Sequence, residues 1–100
     1  MASMAIYYRP PEDAETFEKR YLSEHLPLVD RYEHVKERRF AKVTRSLVGD
    51  FPYAYVFVAH WDDADGMKAD LNSAAAKDAL DNAKQVAPQG FDVVLLDWLA

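Results

Sequence analysis

The segment Tyr53–Trp61 is apolar on both sides of an extended chain, which limits the folds open to this sequence. Successive side chains of a strand point to opposite faces, and a strand with one face in water alternates apolar with polar residues. Here one face would carry Tyr53, Tyr55, Phe57, Ala59 and Trp61, and the other Ala54, Val56, Val58 and His60. The C-terminal segment Phe91–Trp98 has the same character. We therefore predict a sheet that is covered on both faces.

Capping residues mark two helical regions. Asp13 is placed to begin the first, which we expect to run to about Glu24. The second should begin after Asp62 or Asp63 and be interrupted near Asn72-Ser73. Ser73 should then cap a second part that ends near Val86.

Four strands are predicted around these helices, at Met4–Arg9, Val35–Ser46, Tyr53–Trp61 and Phe91–Trp98. The order is then strand, helix, strand, strand, helix, strand. The usual solution for this order is an α+β, ferredoxin-like βαββαβ fold, in which both helices lie on one face of a four-stranded antiparallel sheet. We expect residues 1–100 to form a single domain.

The second face of such a sheet requires a cover, because a large exposed apolar patch is unusual in a monomer. The simplest cover is a second copy of the chain, packed sheet against sheet with two-fold symmetry. We therefore predict a homodimer. The alternative is that loops of the same chain cover this face, for which 100 residues leave little material.

The composition excludes several classes of protein. A net charge of −5 argues against a general nucleic-acid binder, and the basic residues between Lys36 and Arg45 are expected on a solvated strand surface. No apolar run approaches the ~20 residues of a membrane span. There is no cysteine, so thiolate chemistry and disulfides are excluded. No secretory signal is visible, and we expect a cytoplasmic protein that binds neither nucleic acid nor membrane.

No pattern predicts a metal ion or a cofactor. His25, His34 and His60 do not stand three or four residues apart, which is the spacing that places two ligands on one helical face. The glycines are isolated, so no phosphate-binding loop is indicated. We therefore expect that the protein uses neither a metal ion nor a cofactor.

The segment from Phe17 to Tyr32 is the best candidate for chemistry. Phe17, Tyr21 and His25 are spaced by four residues and should share one face of a helix. We expect Pro27 to break this helix and to push Leu26 toward an extended conformation, which leaves His25 in the last turn. A short second helical piece should then run from about Pro27 to Tyr32, with Pro27 at its start, where a missing N–H costs nothing. An imidazole there can take or give a proton near neutral pH. Alternatively, it is only a favourable polar group at a helix C-terminus.

Four aromatic side chains, Phe17, Tyr21, Tyr55 and Phe57, could form the wall of a small-molecule pocket between helix and sheet. Aromatic residues with these periodicities are also typical of an ordinary core, and one residue can serve in both.

These residues lead to a family resemblance. Its matching positions are Tyr8 to Pro11, Asp13, Phe17, Tyr21, His25, Pro27, Leu28, Val29, Trp61-Asp62 and Val93 to Leu96. With these residues the chain resembles the EthD-like proteins, named for ethyl tert-butyl ether degradation, within the dimeric α+β barrel superfamily. The stretch His25-Leu26-Pro27-Leu28 is the most specific part. His60-Trp61 departs from the pattern, which has two aromatic residues there.

The resemblance implies a dimer whose two sheets close into a barrel. It leaves the activity open, because some members look like accessory proteins of oxidative degradation systems, and relatives include cofactor-independent monooxygenases, cyclases, decarboxylases and haem-binding enzymes. We expect a homodimer that binds a small apolar or aromatic metabolite, with His25 as acid/base or orienting group in a cofactor-independent oxidative or cyclising step. Phe17, Tyr21, Leu28, Tyr55 and Phe57 are the expected binding residues. The alternatives are a non-catalytic accessory protein and a purely structural dimer.

Overall fold

The computed structural model of the protein describes all 100 residues. The chain order is β1 (Ala2–Tyr8), α1 (Ala14–Arg20), a π-helical turn (Tyr21–His25), α2 (Leu26–Val29), β2 (Glu37–Lys42), β3 (Tyr55–Trp61), α3 (Ala64–Leu71), α4 (Ala74–Val86) and β4 (Phe91–Asp97). The strands form one antiparallel sheet in the order β2-β3-β1-β4. This is the predicted ferredoxin-like α+β fold.

The central strand β1 fixes the register of the sheet. Tyr8 lies opposite Tyr55 of β3 on one side and opposite Phe91 of β4 on the other. Phe57 in turn lies opposite Phe40 of β2. These pairings place large apolar side chains from all four strands on the same face, which the helices cover.

The predicted caps begin three of the helices. The Asp13 carboxylate accepts hydrogen bonds from the amides of Glu15 and Thr16 at the start of α1. Asp63 accepts from the amide of Gly66, and Ser73 Oγ accepts from that of Ala76. Each cap satisfies amides that have no partner inside the helix, so these boundaries are set by local sequence.

The prediction that Pro27 breaks the first helix is wrong. Leu26 is helical, with φ −57° and ψ −39°, and its amide bonds the carbonyl of Tyr21, five residues back. The chain continues through Pro27 into α2. A proline removes a helical hydrogen bond and clashes with the carbonyl four residues before it. The preceding π-helical turn changes the hydrogen-bond register, and the helix accommodates Pro27 without an extended residue.

Two strands are shorter than predicted by more than one residue. β2 covers Glu37–Lys42 only, and β3 begins at Tyr55. The residues between them form a loop that turns at Gly49, whose φ is +76°. Leu47 and Val48 in this loop are 82% and 92% exposed.

The core lies between the helices and the sheet. Tyr8, Tyr55, Phe57 and Trp61 from the strands and Tyr21 from the π-helical turn are at most 1% exposed. The other face of the sheet has no helix over it. Its larger apolar side chains include five that are half-buried or exposed, namely Val56, Val58, Val94, Leu96 and Trp98. None of the helices has both the length and the apolar character required to cross a membrane.

Candidate functional site: a cavity beside His25

A cavity of about 400 Å³ lies between the helical layer and the sheet. Its floor consists of Met4, Ile6, Phe57, Phe91, Val93 and Leu95 from three strands. Its walls consist of His25, Val29 and Tyr32 on one side and Leu71, Ala76, Ala79, Leu80 and Ala83 on the other. Such a volume and such an apolar lining are typical of small-molecule sites.

The cavity exists because the inner face of α4 carries short side chains. Ala76, Ala79 and Ala83 face it, and a methyl group cannot reach across the space that a leucine would fill. Ala79 and Ala83 are nevertheless 4% and 2% exposed, so they belong to the interior of the molecule. The sequence predictions did not include this wall. The helical spacing of the three alanines is the pattern that could have indicated it.

His25 is the only histidine that lines this cavity, and it is 2% exposed. Its ring lies 4.6 Å from that of Tyr21, and its Nδ1 lies 3.1 Å from Oδ1 of Asn82. Burial lowers the pKa of His25, and the hydrogen bond to Asn82 opposes this only in part. The imidazole is therefore neutral at pH 7. Its Nε2 has no hydrogen-bond partner in the chain.

Tyr32 supplies a second polar group. It lines the cavity, its ring lies 6.5 Å from that of Trp61, and its hydroxyl bonds no other residue. Burial, and then the charge of Asp70, raise its pKa, so the phenol is neutral and can donate a hydrogen bond. Sequence reasoning placed Tyr32 at a helix end and gave it no role.

The structure brings two of the predicted site residues to the cavity, His25 and Phe57. Tyr21 lies behind His25, where its ring stacks on Phe40 with centroids 4.0 Å apart. Phe17 and Tyr55 pack against each other at 4.9 Å, outside the cavity lining.

Leu28 also lies outside the cavity lining, while its neighbour Val29 is part of it. In an unbroken α-helix, residues seven apart share a face, so Tyr21 should be followed by Leu28. The π-helical turn takes up one additional residue, and the inward position moves to Val29, which is 2% exposed. The sequence spacing alone does not reveal this change.

Solved structures share the fold of this chain. An EthD (ethyl tert-butyl ether) family protein from Bacillus halodurans matches with a TM-score of 0.89 at 17% identity, over 99% of each chain. A dimeric ferredoxin-like protein of unknown function from Jannaschia sp. matches at 0.74 and 15% identity, over 97% of this chain and 98% of that one. SnoaB, a cofactor-independent oxygenase from Streptomyces nogalater, matches at 0.70 and 14% identity, over 99% and 93%.

No protein-family model matches the chain, and no curated protein sequence does either. The resemblance to an EthD family protein is thus confirmed for the fold, which extends over the whole chain. At these identities the comparisons support the architecture and leave the activity to be argued from the cavity itself.

Proposed function

We propose that the protein binds a small, uncharged aromatic or apolar metabolite in the cavity, with His25 as the proton acceptor. The observation that carries this proposal is a buried, neutral imidazole at an otherwise apolar cavity. An unpaired Nε2 is suited to accept a hydrogen bond from a ligand hydroxyl, or to remove an acidic proton from it. Burial disfavours the resulting imidazolium, so His25 would return the proton within the same reaction.

The lack of charged residues in the cavity lining favours uncharged ligands. None of the fourteen lining residues is Lys, Arg, Asp or Glu. An anionic ligand would lose its hydration without gaining a cationic partner, which is costly in an apolar site. A planar molecule with one hydroxyl for His25 and one oxygen for Tyr32 would satisfy both polar groups.

This chemistry requires no cofactor in principle. In a cyclising step, a ligand carbanion formed by proton transfer to His25 attacks a carbonyl of the same molecule, and the imidazolium returns the proton to the resulting alkoxide. In an oxidative step, molecular oxygen is the second substrate. The fold shared with a protein described as a cofactor-independent oxygenase supports this proposal without selecting between the two reactions.

We further propose that the chain forms a homodimer through the uncovered face of the sheet. The apolar side chains on this face, centred on Val58 and Val94, support a sheet-to-sheet contact. Two solved structures with this fold are described as dimeric, and both are aligned over 97% of this chain.

A non-catalytic accessory role is the second candidate, and the cavity edge favours it. Leu80 and Leu95 line the cavity yet are 46% and 58% exposed, so the cavity opens toward solvent on this side. Carbanion chemistry benefits from exclusion of water, whereas transient holding of a metabolite does not require it. An EthD-like protein that binds and releases a pathway intermediate would fit this geometry.

Native mass spectrometry of the purified protein tests for a retained metabolite. Titration calorimetry with 2-naphthol then compares wild type with His25→Ala and with the control His34→Ala, whose imidazole is half exposed and outside the cavity. We expect His25→Ala to bind about three- to tenfold more weakly, the loss of one hydrogen bond, and His34→Ala to bind normally. Unchanged binding and turnover in His25→Ala would exclude the catalytic role. Binding without turnover of the retained metabolite by wild type would favour the accessory role.

A further inference from the structure

A chain of polar side chains stands behind His25, and the function proposed so far does not use it. The Arg20 guanidinium binds the Glu24 carboxylate through two contacts, Nε to Oε2 at 2.8 Å and Nη2 to Oε1 at 3.1 Å. The amide of Asn82, on α4, lies close enough to this carboxylate to help lower its pKa. The Oδ1 atom of Asn82 then meets Nδ1 of His25 at 3.1 Å. The chain therefore joins the first helix to the fourth at the wall of the cavity.

The direction of these hydrogen bonds follows from their chemistry. Arg20, and then the Asn82 amide, hold the pKa of the Glu24 carboxyl below its usual range, so the group is ionised and only accepts. Asn82 presents its carbonyl oxygen to Nδ1 of His25, and its NH₂ group is the end that suits the nearby ionised Glu24. A carbonyl oxygen cannot donate, so the neutral imidazole must carry its proton on Nδ1. The lone pair is left on Nε2.

We propose that Asn82 is a positioning residue that fixes the tautomer of His25, and that the cavity thereby selects ligands that offer an O–H or N–H donor. Without Asn82, the neutral imidazole of His25 can adopt either tautomer. The tautomer that carries its proton on Nε2 would favour ligands with a hydrogen-bond acceptor instead. Glu24 and Arg20 support this orientation, because an ionised carboxylate near Asn82 favours the NH₂ end of its amide. The predicted ligand preference rests on the proposed function, whereas the predicted tautomer of His25 is independent of it.

Long-range proton–nitrogen correlation spectra of the ligand-free, isotope-labelled protein measure the tautomer directly. The spectra are recorded at about pH 8, where His25 is neutral, and His25→Gln assigns its signals. We expect protonated Nδ1 and unprotonated Nε2 in wild type and in the control Asn72→Ala, which removes an exposed asparagine of another helix. Asn82→Ala should shift the signals toward the other tautomer. Asn82→Asp, which keeps an acceptor, should restore the wild-type pattern.

His60 provides an internal reference with the opposite expectation. Trp98 Nε1 donates to Ser3 Oγ at 2.7 Å, and Ser3 Oγ lies 2.6 Å from His60 Nδ1. Because Ser3 is fully buried, its hydroxyl hydrogen must go to His60 Nδ1, which places the His60 proton on Nε2. The two histidines should therefore give different patterns in one spectrum.

Ligand selection is tested with 2-naphthol and 2-methoxynaphthalene, which differ in the donor hydrogen. We expect wild type to prefer 2-naphthol by about three- to tenfold, and Asn82→Ala to lose that preference. The positioning role is overturned if wild-type His25 carries its proton on Nε2, or if Asn82→Ala leaves the tautomer unchanged. If the tautomer is as expected and neither compound binds, the positioning role stands and the proposed ligand class fails.

Discussion

The hydroxyl groups of Tyr8 and Tyr21 lie 2.8 Å apart in the interior of the molecule, where strand β1 meets the π-helical turn. Both residues are fully buried, and burial raises the pKa of each, so both phenols stay neutral. One hydroxyl therefore donates to the other. Because each is the only hydrogen-bond partner of the other, the pair joins the first helix to the centre of the sheet.

Removing one hydroxyl of this pair should lower the free energy of unfolding by more than half as much as removing both hydroxyls. Tyr8→Phe and Tyr21→Phe should each lower the free energy of unfolding by about 1–2 kcal/mol, because the remaining hydroxyl is buried without a partner. The double variant should lose clearly less than the sum of the two. Urea denaturation measures all three, with Tyr7→Phe on the same strand as a control. Strictly additive losses would show that the two hydroxyls do not act as a pair.

Stability should fall as the pH falls below about 6.5, the usual pKa of an unfolded-state histidine. Burial lowers the pKa of His25 in the folded protein, so the unfolded chain takes up the proton first and is favoured by acid. His25→Gln should reduce this slope between about pH 7 and pH 5, whereas Asn72→Ala, which removes no titratable group, should retain it. Carboxyl groups whose pKa is lowered in the folded protein, such as that of Glu18, affect stability only at lower pH. Denaturant midpoints at one protein concentration provide the measurement, and an unchanged slope in His25→Gln contradicts the assignment.

A longer side chain on the inner face of α4 should fill the cavity. Ala79→Leu places extra methyl groups in existing space, so we expect the fold to persist and 2-naphthol binding to weaken at least about tenfold. Ala74→Leu makes the same change at an exposed position of the same helix and should bind normally. Titration calorimetry and thermal denaturation distinguish a blocked cavity from a damaged fold. Normal binding by a well-folded Ala79→Leu would place the ligand elsewhere.

A charge on the uncovered face of the sheet should dissociate the proposed dimer. Val58→Glu puts a carboxylate at the centre of this face, where a sheet-to-sheet contact would remove it from water. In the monomer the position is half-buried, so the fold should tolerate the change. Val48→Glu, in the exposed loop, is the matched control and should remain dimeric. Light scattering at micromolar concentration measures the mass, and a monomeric wild type would refute the dimer.

The parts of the fold that local chemistry determines could be predicted from the sequence. The apolar character of both faces of Tyr53–Trp61 predicted the buried strand, and Asp13, Asp63 and Ser73 act within one turn of their own positions. The ferredoxin-like fold followed because few arrangements connect strands and helices in this order.

The candidate site was only partly predictable, because it depends on distances between elements. His25 and Phe57 were found, since both carry a recognisable chemical or periodic signal. The wall formed by α4 depends on how far its alanines stand from the sheet, which no single segment encodes. Asn82 acquires its role only by packing against His25, and it lies 57 residues away in the chain.

The π-helical turn also affects how this sequence can be aligned with others. An unbroken α-helix with the same inward side chains would need seven residues from the position of Tyr21 to that of Val29, and this chain uses eight. A relative without the turn would present the same cavity wall and would align only with a gap between Leu22 and Glu24. One residue in the middle of a helix can thus separate two sequences whose folds superpose.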